Sequence, residues 1–127
     1  MTEHDLYGLI ADYIKVRYPN VIYRFDLAAD LKLTIGQARK HKRLQKYRGY
    51  PDLFIAEPTY HKGEYSGLYL ELKKEGTRIF KKDGTLVADE HIREQFDMLA
   101  ELRNRGYAAE FACGFDEAKK IIDEYLA

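Results

Sequence analysis

The chain has 127 residues, balances 21 Lys and Arg against 21 Asp and Glu, and is 46% hydrophobic. This length fits a single domain over residues 1–127, and the composition lacks the apolar poverty of a disordered chain. A lone cysteine, Cys113, excludes an intramolecular disulfide and a thiolate zinc cluster, and no apolar run reaches the ~18 residues of a membrane span. We therefore expect a soluble protein of the reducing cytoplasm, without a membrane partner.

The first part of the chain predicts a helix and then a strand. Thr2 and Asp5 form a capping-box pattern, and Tyr18-Pro19-Asn20 ends the helix. Residues 21–27 alternate with the period of a strand that buries at least one face. The apolar positions that recur at helical spacing are Leu6, Leu9, Ile10, Tyr13 and Ile14.

Residues 31–50 form a basic segment that contains no acidic residue. Residues 37–47 could form a short helix, but their apolar positions are too sparse to hold it to a core, so we interpret the segment as a surface excursion. Such a stretch can be merely a solvated face, yet in a chain of zero net charge it favours contact with nucleic-acid phosphates. Tyr47 and Tyr50 could stack on unpaired bases. The candidate nucleic-acid-binding residues are Arg39, Lys40, Lys42, Arg43, Lys46 and Arg48, and Lys32 is also in the segment.

Two strand-like runs follow, at residues 52–56 and 65–73. The polar connection between them is short enough for neighbouring antiparallel strands. Residues 79–81 and 85–87 flank a Lys82-Asp83-Gly84 turn and predict a small hairpin.

The last part of the chain predicts a helix, a buried strand at 108–113 and a final helix. Asp89 and Gly106 supply the start and stop signals of the first of these helices, and Asp116 is the expected cap of the last. The predicted order is αβββαβα. We expect an α/β fold with a mixed central sheet of about four strands flanked by helices.

The candidate chemistry lies on the two paired strands. Glu71 and Lys73 point to one face because strand side chains alternate, and Asp52 begins the preceding strand, where it can meet Glu71. Two converging carboxylates repel each other unless a cation lies between them, and hard oxygen donors favour Mg²⁺ or Mn²⁺. Lys73 could stabilise negative charge on the attacking hydroxide or the phosphate, so the set suits phosphodiester hydrolysis.

Simpler explanations exist for the same residues. A lone Glu-x-Lys on a strand usually marks a solvated face, and Asp52 could be a turn residue after Pro51. The four histidines show no metal-like spacing.

The spacing of Pro51-Asp52 and Glu71-Leu72-Lys73, nineteen residues apart, resembles the PD-(D/E)xK nuclease motif. More narrowly, the whole chain resembles the stand-alone VRR-NUC proteins of phages and prophages. The matching features are Glu3 on the first helix, the Gly-Tyr-Pro-Asp-Leu stretch at 49–53, and Gln95 on the helix after the lysine. The hairpin at 81–85 makes the stretch before Gln95 longer than is typical of the family.

This resemblance implies a restriction-endonuclease-like fold and a metal-dependent DNA endonuclease, which could be selective for flaps or Holliday junctions. It implies Mg²⁺ or Mn²⁺ at Asp52, Glu71 and the Leu72 carbonyl, with Glu3 reaching the metal directly or through water. It also implies that Gln95 supports Lys73 or a phosphate, which makes the catalytic set Asp52, Glu71, Lys73 and Gln95. DNA as partner, a homodimer and the cytoplasm of a bacterial host cell are further implications.

Several alternatives stay open at this point. Glu3 is equally well explained as a favourable charge at a helix N-terminus, and Gln95 as a solvated residue at the border of an apolar stripe. The same site could hydrolyse RNA, because carboxylates and metal do not themselves read the 2′-hydroxyl. The main alternative of another class is a noncatalytic DNA-binding phage accessory protein of the same fold.

Overall fold

A four-stranded mixed sheet in the order β1-β2-β3-β4 forms the centre of the fold. It is seen in a computed structural model that describes residues 1–26, 32–59 and 63–127. Strand β2 is antiparallel to both β1 and β3, and β4 is parallel to β3. The elements are α1 (Glu3–Arg17), β1 (Tyr23–Phe25), α2 (Ile35–Leu44), β2 (Leu53–Ile55), β3 (Leu68–Lys73), α3 (Glu90–Asn104), β4 (Ala108–Cys113) and α4 (Phe115–Leu126).

The register of β2 on β3 determines where the motif residues lie. Leu53 pairs with Leu70, so Asp52, one residue before β2, comes beside Glu71. The predicted antiparallel pairing of these strands is confirmed. The middle of their connection (residues 60–62), the end of the predicted first strand at Leu27 and the start of the basic segment at Leu31 lie outside the described residues.

The two faces of the sheet carry separate cores. On one face, β2 and β3 pack against α1 and α4 through buried residues that include Leu70, Leu72, Ile10 and Ile122. On the other face, Tyr69 and its neighbours pack against α3. Because side chains alternate along β3, Glu71 lies on the α3 face. The helix after β3 therefore covers the face that carries the motif acid.

Helix α2 is an element that the predicted order αβββαβα does not contain, and the observed order is αβαββαβα. Thr34 accepts from the Gln37 amide while the Gln37 side chain accepts from the Thr34 amide, which gives the basic segment a capping box. No residue of α2 is buried. The predicted surface position is thus confirmed, and local capping explains why the exposed segment is helical.

The predicted caps of α1 and α3 are confirmed, since Thr2 and Asp89 each accept a first-turn amide. The prediction that Asp116 caps the last helix is wrong. Gly114, at φ 88°, is the N-cap of α4 and makes no side-chain cap bond, and Asp116 lies in the first turn. The chain turns from β4 into α4 at this glycine, whose amide donates to the Lys73 carbonyl at 2.8 Å.

The predicted hairpin is present as an antiparallel bridge between Phe80 and Leu86. Within the three described ranges, no helix is long and apolar enough to cross a membrane.

Candidate active site

Asp52 and Glu71 form a buried carboxylate pair where β2 begins beside β3. Their exposed fractions are 5% and 3%. The Leu72 amide donates to Oδ2 of Asp52 at 2.9 Å, and the two carboxyl groups are hydrogen-bonded to each other. A hydrogen bond between two carboxyl groups requires a proton on one of them. The structure thus brings together the two acids that the sequence predicted to meet.

The pKa of Glu71 is raised because two acids are buried side by side. Burial is the largest cause, followed by the hydrogen bond and the charge of Asp52, and together they raise the pKa of Glu71 from 4.5 to about 11. The Lys73 ammonium acts in the opposite direction, and the Glu3 carboxylate adds to the increase. At neutral pH the pair therefore retains a proton unless a cation takes its place.

Tyr7 of α1 is a site residue that the sequence analysis missed. Its ring is buried and stacks on Phe25 at 5.4 Å between centroids, and its hydroxyl is hydrogen-bonded to Asp52. Burial raises the pKa of Tyr7, and the Asp52 carboxylate raises it further. The hydroxyl therefore stays protonated and donates a hydrogen bond to Asp52. Tyr7 lies three residues before Ile10 on the buried stripe of α1. That spacing indicated burial, but nothing in it indicated the hydrogen-bond partner.

Gln95 of α3 enters the site from the other side. Its side chain is 5% exposed, and its Nε2 lies 3.3 Å from Nε2 of His91, one helical turn earlier. The loop before Asp52 touches α3 at this point, because a Cβ added at Gly49 would lie 2.8 Å from the Gln95 nitrogen and the Glu94 oxygen. Gly49, at φ +75°, therefore allows the close approach that places Gln95 near the acids.

These groups line a cleft of about 780 Å³. Asp52, Glu71 and Gln95 form part of its lining, and another part, which we call the cationic wall, comes from α2 and the loop after it. The cleft residues of that wall include the exposed cations Lys42, Lys46 and Arg48 and the aromatic residues Tyr47 and Tyr50. The other predicted phosphate-binding residues, Arg39, Lys40 and Arg43, are exposed on α2 but do not line the cleft.

Lys73 and Glu3 lie near the pair without lining this cleft. Both act electrostatically on Glu71, and both are half-buried. Lys73 pairs with Cys113 of β4 in the parallel register. Within the part of the chain that the structure describes, no three His, Cys, Asp or Glu side chains converge as a metal-binding group. Glu3 thus does not complete a cluster with Asp52 and Glu71.

The donor set of the pair fits a hard divalent cation. Its side-chain donors are carboxylate oxygens, and a cation between them would offset both the burial of the charge and the repulsion by Asp52 that raise the pKa of Glu71. Mg²⁺ keeps several waters and is commonly held by one or two carboxylates together with substrate phosphates. Two protein carboxylates facing a cleft therefore suffice for such an ion.

A second cleft, of about 770 Å³, lies between the hairpin and the start of α4 and contains none of the motif residues. Its lining includes two arginines, Arg78 and Arg103, but four acids: Glu75, Glu110, Asp116 and Glu117. Charge does not separate the two clefts, because the first cleft sets Lys42, Lys46 and Arg48 against six acids: Asp26, Asp52, Glu71, Asp89, Glu90 and Glu94. The first cleft, called the carboxylate cleft from here on, is the better candidate site because it contains the motif residues Asp52, Glu71 and Gln95.

The fold of this chain is shared with a solved protein structure. A solved structure described as a "VRR_NUC domain protein" matches with a TM-score of 0.68 and 24% sequence identity, covering 99% of this chain and 88% of that chain. The resemblance to VRR-NUC proteins is thus confirmed at the level of the fold. No protein-family model and no curated protein matches the chain.

Proposed function

We propose that this protein is a Mg²⁺- or Mn²⁺-dependent deoxyribonuclease that hydrolyses internal phosphodiester bonds. The observation that carries the proposal is the buried Asp52–Glu71 pair, which lines the same cleft as the cations Lys42, Lys46 and Arg48. The acids attract a divalent cation, and the cations attract phosphate. A DNA strand in this cleft would bring its phosphates to the carboxylates.

Asp52, Glu71 and the Leu72 carbonyl would hold the cation, with Glu3 connected through water. When bound there, the cation supplies a Lewis acid that polarises a phosphoryl oxygen and makes water more acidic. Tyr7 and the Leu72 amide orient Asp52. Lys73 stabilises the negative charge that develops on the phosphoryl group, and Gln95 acts within the cleft next to Glu71.

Lys42, Lys46 and Arg48 contact the backbone of the strand that enters the cleft, and the exposed cations of α2 extend this surface. Tyr47 and Tyr50, 61% and 43% exposed, offer ring faces to unpaired bases. This favours DNA with a branch or a single-stranded segment, such as a flap or a four-way junction. We also propose a two-fold homodimer, which would supply two sites for paired incisions; light scattering of the purified protein tests it.

The test is cleavage of labelled duplex, flap and four-way-junction DNA in Mg²⁺, Mn²⁺ or EDTA. The wild type is compared with Lys73→Ala and with Lys74→Ala, an exposed neighbour that serves as the matched control. We expect metal-dependent products from the wild type and the control, and none from Lys73→Ala with DNA binding retained. Binding without products on any substrate would instead support the noncatalytic DNA-binding protein, and preferential cutting of a matched RNA would change the substrate class.

A further inference from the structure

The Gln95 amide has one satisfied end and one unsatisfied end. Nε2 contacts His91, but Oε1 is buried without a hydrogen-bond partner, and it is the one such side-chain atom in the described ranges. An unsatisfied buried acceptor is unfavourable, because it has lost its hydrogen bonds to water and gained none in the protein. Gln95 also lines the carboxylate cleft. Such an atom beside a cleft therefore indicates a donor that arrives with the substrate or the solvent.

His91 determines which end of the amide remains available. When Nε2 of His91 carries no proton, it accepts from Nε2 of Gln95 and leaves Oε1 without a donor. With the opposite tautomer, His91 would donate to Oε1, and the amide nitrogen would become the free group. The two arrangements offer opposite chemistry, an acceptor or a donor, at the same place.

The close approach of Gly49 to the backbone of residues 94 and 95 limits how α3 can move relative to Asp52. The remaining freedom of Gln95 is in its side chain, and His91 restricts that freedom. Asp52, Glu71 and Gln95 all line the cleft and all carry acceptor oxygens. A water molecule can donate one proton to a carboxylate and the other to Gln95, which leaves its lone pairs directed at a phosphorus atom.

We propose that His91 is a positioning residue that holds the Gln95 carbonyl oxygen toward the cleft, where this oxygen accepts a hydrogen bond from the water that attacks the phosphodiester. The inference rests on the proposed nuclease function. In the hydrolysis, the water oxygen bonds to phosphorus and the bond from phosphorus to the leaving sugar oxygen breaks. One water proton is released to solvent, and the leaving oxygen takes one up from solvent.

The first test is independent of activity. Long-range proton–nitrogen NMR spectra of the metal-free protein, at a pH where histidines are neutral, report which nitrogen of each ring is protonated, and His91→Phe assigns the His91 signals. We expect Nδ1 of His91 to carry the proton and Nε2 to be the acceptor. A protonated Nε2 would overturn the inference, because His91 would then occupy the Gln95 oxygen.

The second test is a double-mutant cycle on kcat and KM with the metal-loaded enzyme. His91→Phe keeps an aromatic ring but removes the acceptor, and it should lower kcat about tenfold, the effect of one weakened transition-state hydrogen bond, with KM little changed. The same substitution should add nothing in a Gln95→Ala background, because His91 acts through Gln95. His91→Gln offers a carbonyl acceptor and should recover most of kcat. Arg93→Ala, exposed on the same helix and outside the cleft, is the control.

The outcomes separate this inference from the proposed function. An active wild type whose kcat is unaffected by His91→Phe would overturn the role of His91 alone. Additive effects of the two substitutions would show that His91 does not act through Gln95, which also overturns the role of His91. A wild type without metal-dependent products would overturn the nuclease itself, whatever the NMR tautomer.

Discussion

The Leu72 amide donates a 2.9 Å hydrogen bond to Oδ2 of Asp52, across the junction of β2 and β3. A main-chain group of the strand that carries Glu71 thus orients the other acid of the pair. The geometry of the pair depends on strand register, since a slip of one residue would turn Glu71 to the opposite face. Tyr7 adds a second donor to Asp52 from α1, so two elements, β3 and α1, hold this carboxylate.

Tyr7→Phe should weaken the site without disturbing the fold. The ring can still stack on Phe25, but Asp52 loses a donor that orients it. We expect about a 10–100-fold loss in metal affinity or activity, as for other outer partners of metal ligands. Titration with Mn²⁺ and the cleavage assay measure this loss. Tyr13→Phe, whose hydroxyl bonds to Asp123 instead, is the control, and wild-type Mn²⁺ affinity in Tyr7→Phe would contradict the prediction.

Glu71→Gln should stabilise the metal-free protein at neutral and alkaline pH. The pKa of Glu71 is raised from 4.5 to about 11 on folding, so between these values the folded state binds more protons than the unfolded state. The free energy of unfolding therefore falls as pH rises through this window. Removing the ionisable group should raise the free energy of unfolding by about 1–2 kcal/mol at pH 8, because substitutions that remove an unfavourable functional group often stabilise a protein.

Urea unfolding in EDTA at pH 5, 7 and 9 measures this effect. The wild type should lose stability relative to Glu71→Gln as pH rises, and the exposed Glu64→Gln should follow the wild type. Parallel pH profiles of the wild type and Glu71→Gln would show that the two acids do not share a proton.

Mg²⁺ or Mn²⁺ should raise the Tm, because a ligand that binds only the folded state stabilises it. At a free ion concentration 100 times the Kd the gain is about 2.7 kcal/mol, which corresponds to several degrees. EDTA should reverse the shift, and Asp52→Asn should abolish it. Differential scanning calorimetry measures it, and a wild-type Tm that does not respond to either ion would argue against a cation at this pair.

Gly49→Ala should destabilise the protein by about 2 kcal/mol or more, since the new Cβ would overlap α3 and the residue has φ +75°. Gly36→Ala is the matched control. Gly36 lies within α2 with nothing within 4 Å of an added Cβ, so this change should be neutral or stabilising by about 0.5–1 kcal/mol. Denaturant unfolding compares the two, and equal stability would mean that Gly49 does not hold the loop against α3.

The cationic wall of the cleft should contribute to DNA affinity by neutralising phosphates. Replacing Lys42, Lys46 and Arg48 with glutamine should weaken binding and reduce the slope of log K against log salt by up to about 0.9 for each phosphate that is no longer neutralised. Lys119 and Lys120 on α4 provide a control pair away from the cleft. Fluorescence anisotropy over a series of salt concentrations measures the slope. An unchanged slope in the triple variant would place the DNA elsewhere.

The sequence by itself determined the order of the core elements and the meeting of Asp52 with Glu71. Period-two alternation placed Glu71 and Lys73 on one strand face, and a short connection paired that strand with the one that Asp52 begins. The caps at Thr2 and Asp89 were also readable, because capping is a contact between residues three apart. Helix α2 has the same local signal, a capping box at Thr34 and Gln37. The predicted element order nevertheless omitted this helix, because the segment lacks an apolar face.

The tertiary structure alone decided the surroundings of the pair. The bond from Tyr7 to Asp52 joins residues from α1 and the start of β2, and the burial of Gln95 depends on how Gly49 meets α3. The four-residue spacing of His91 and Gln95 was visible, but it does not say which way the two side chains turn. Sequence periodicity specifies which face of an element is apolar. The partners of polar groups come from packing between distant segments, which local patterns do not encode.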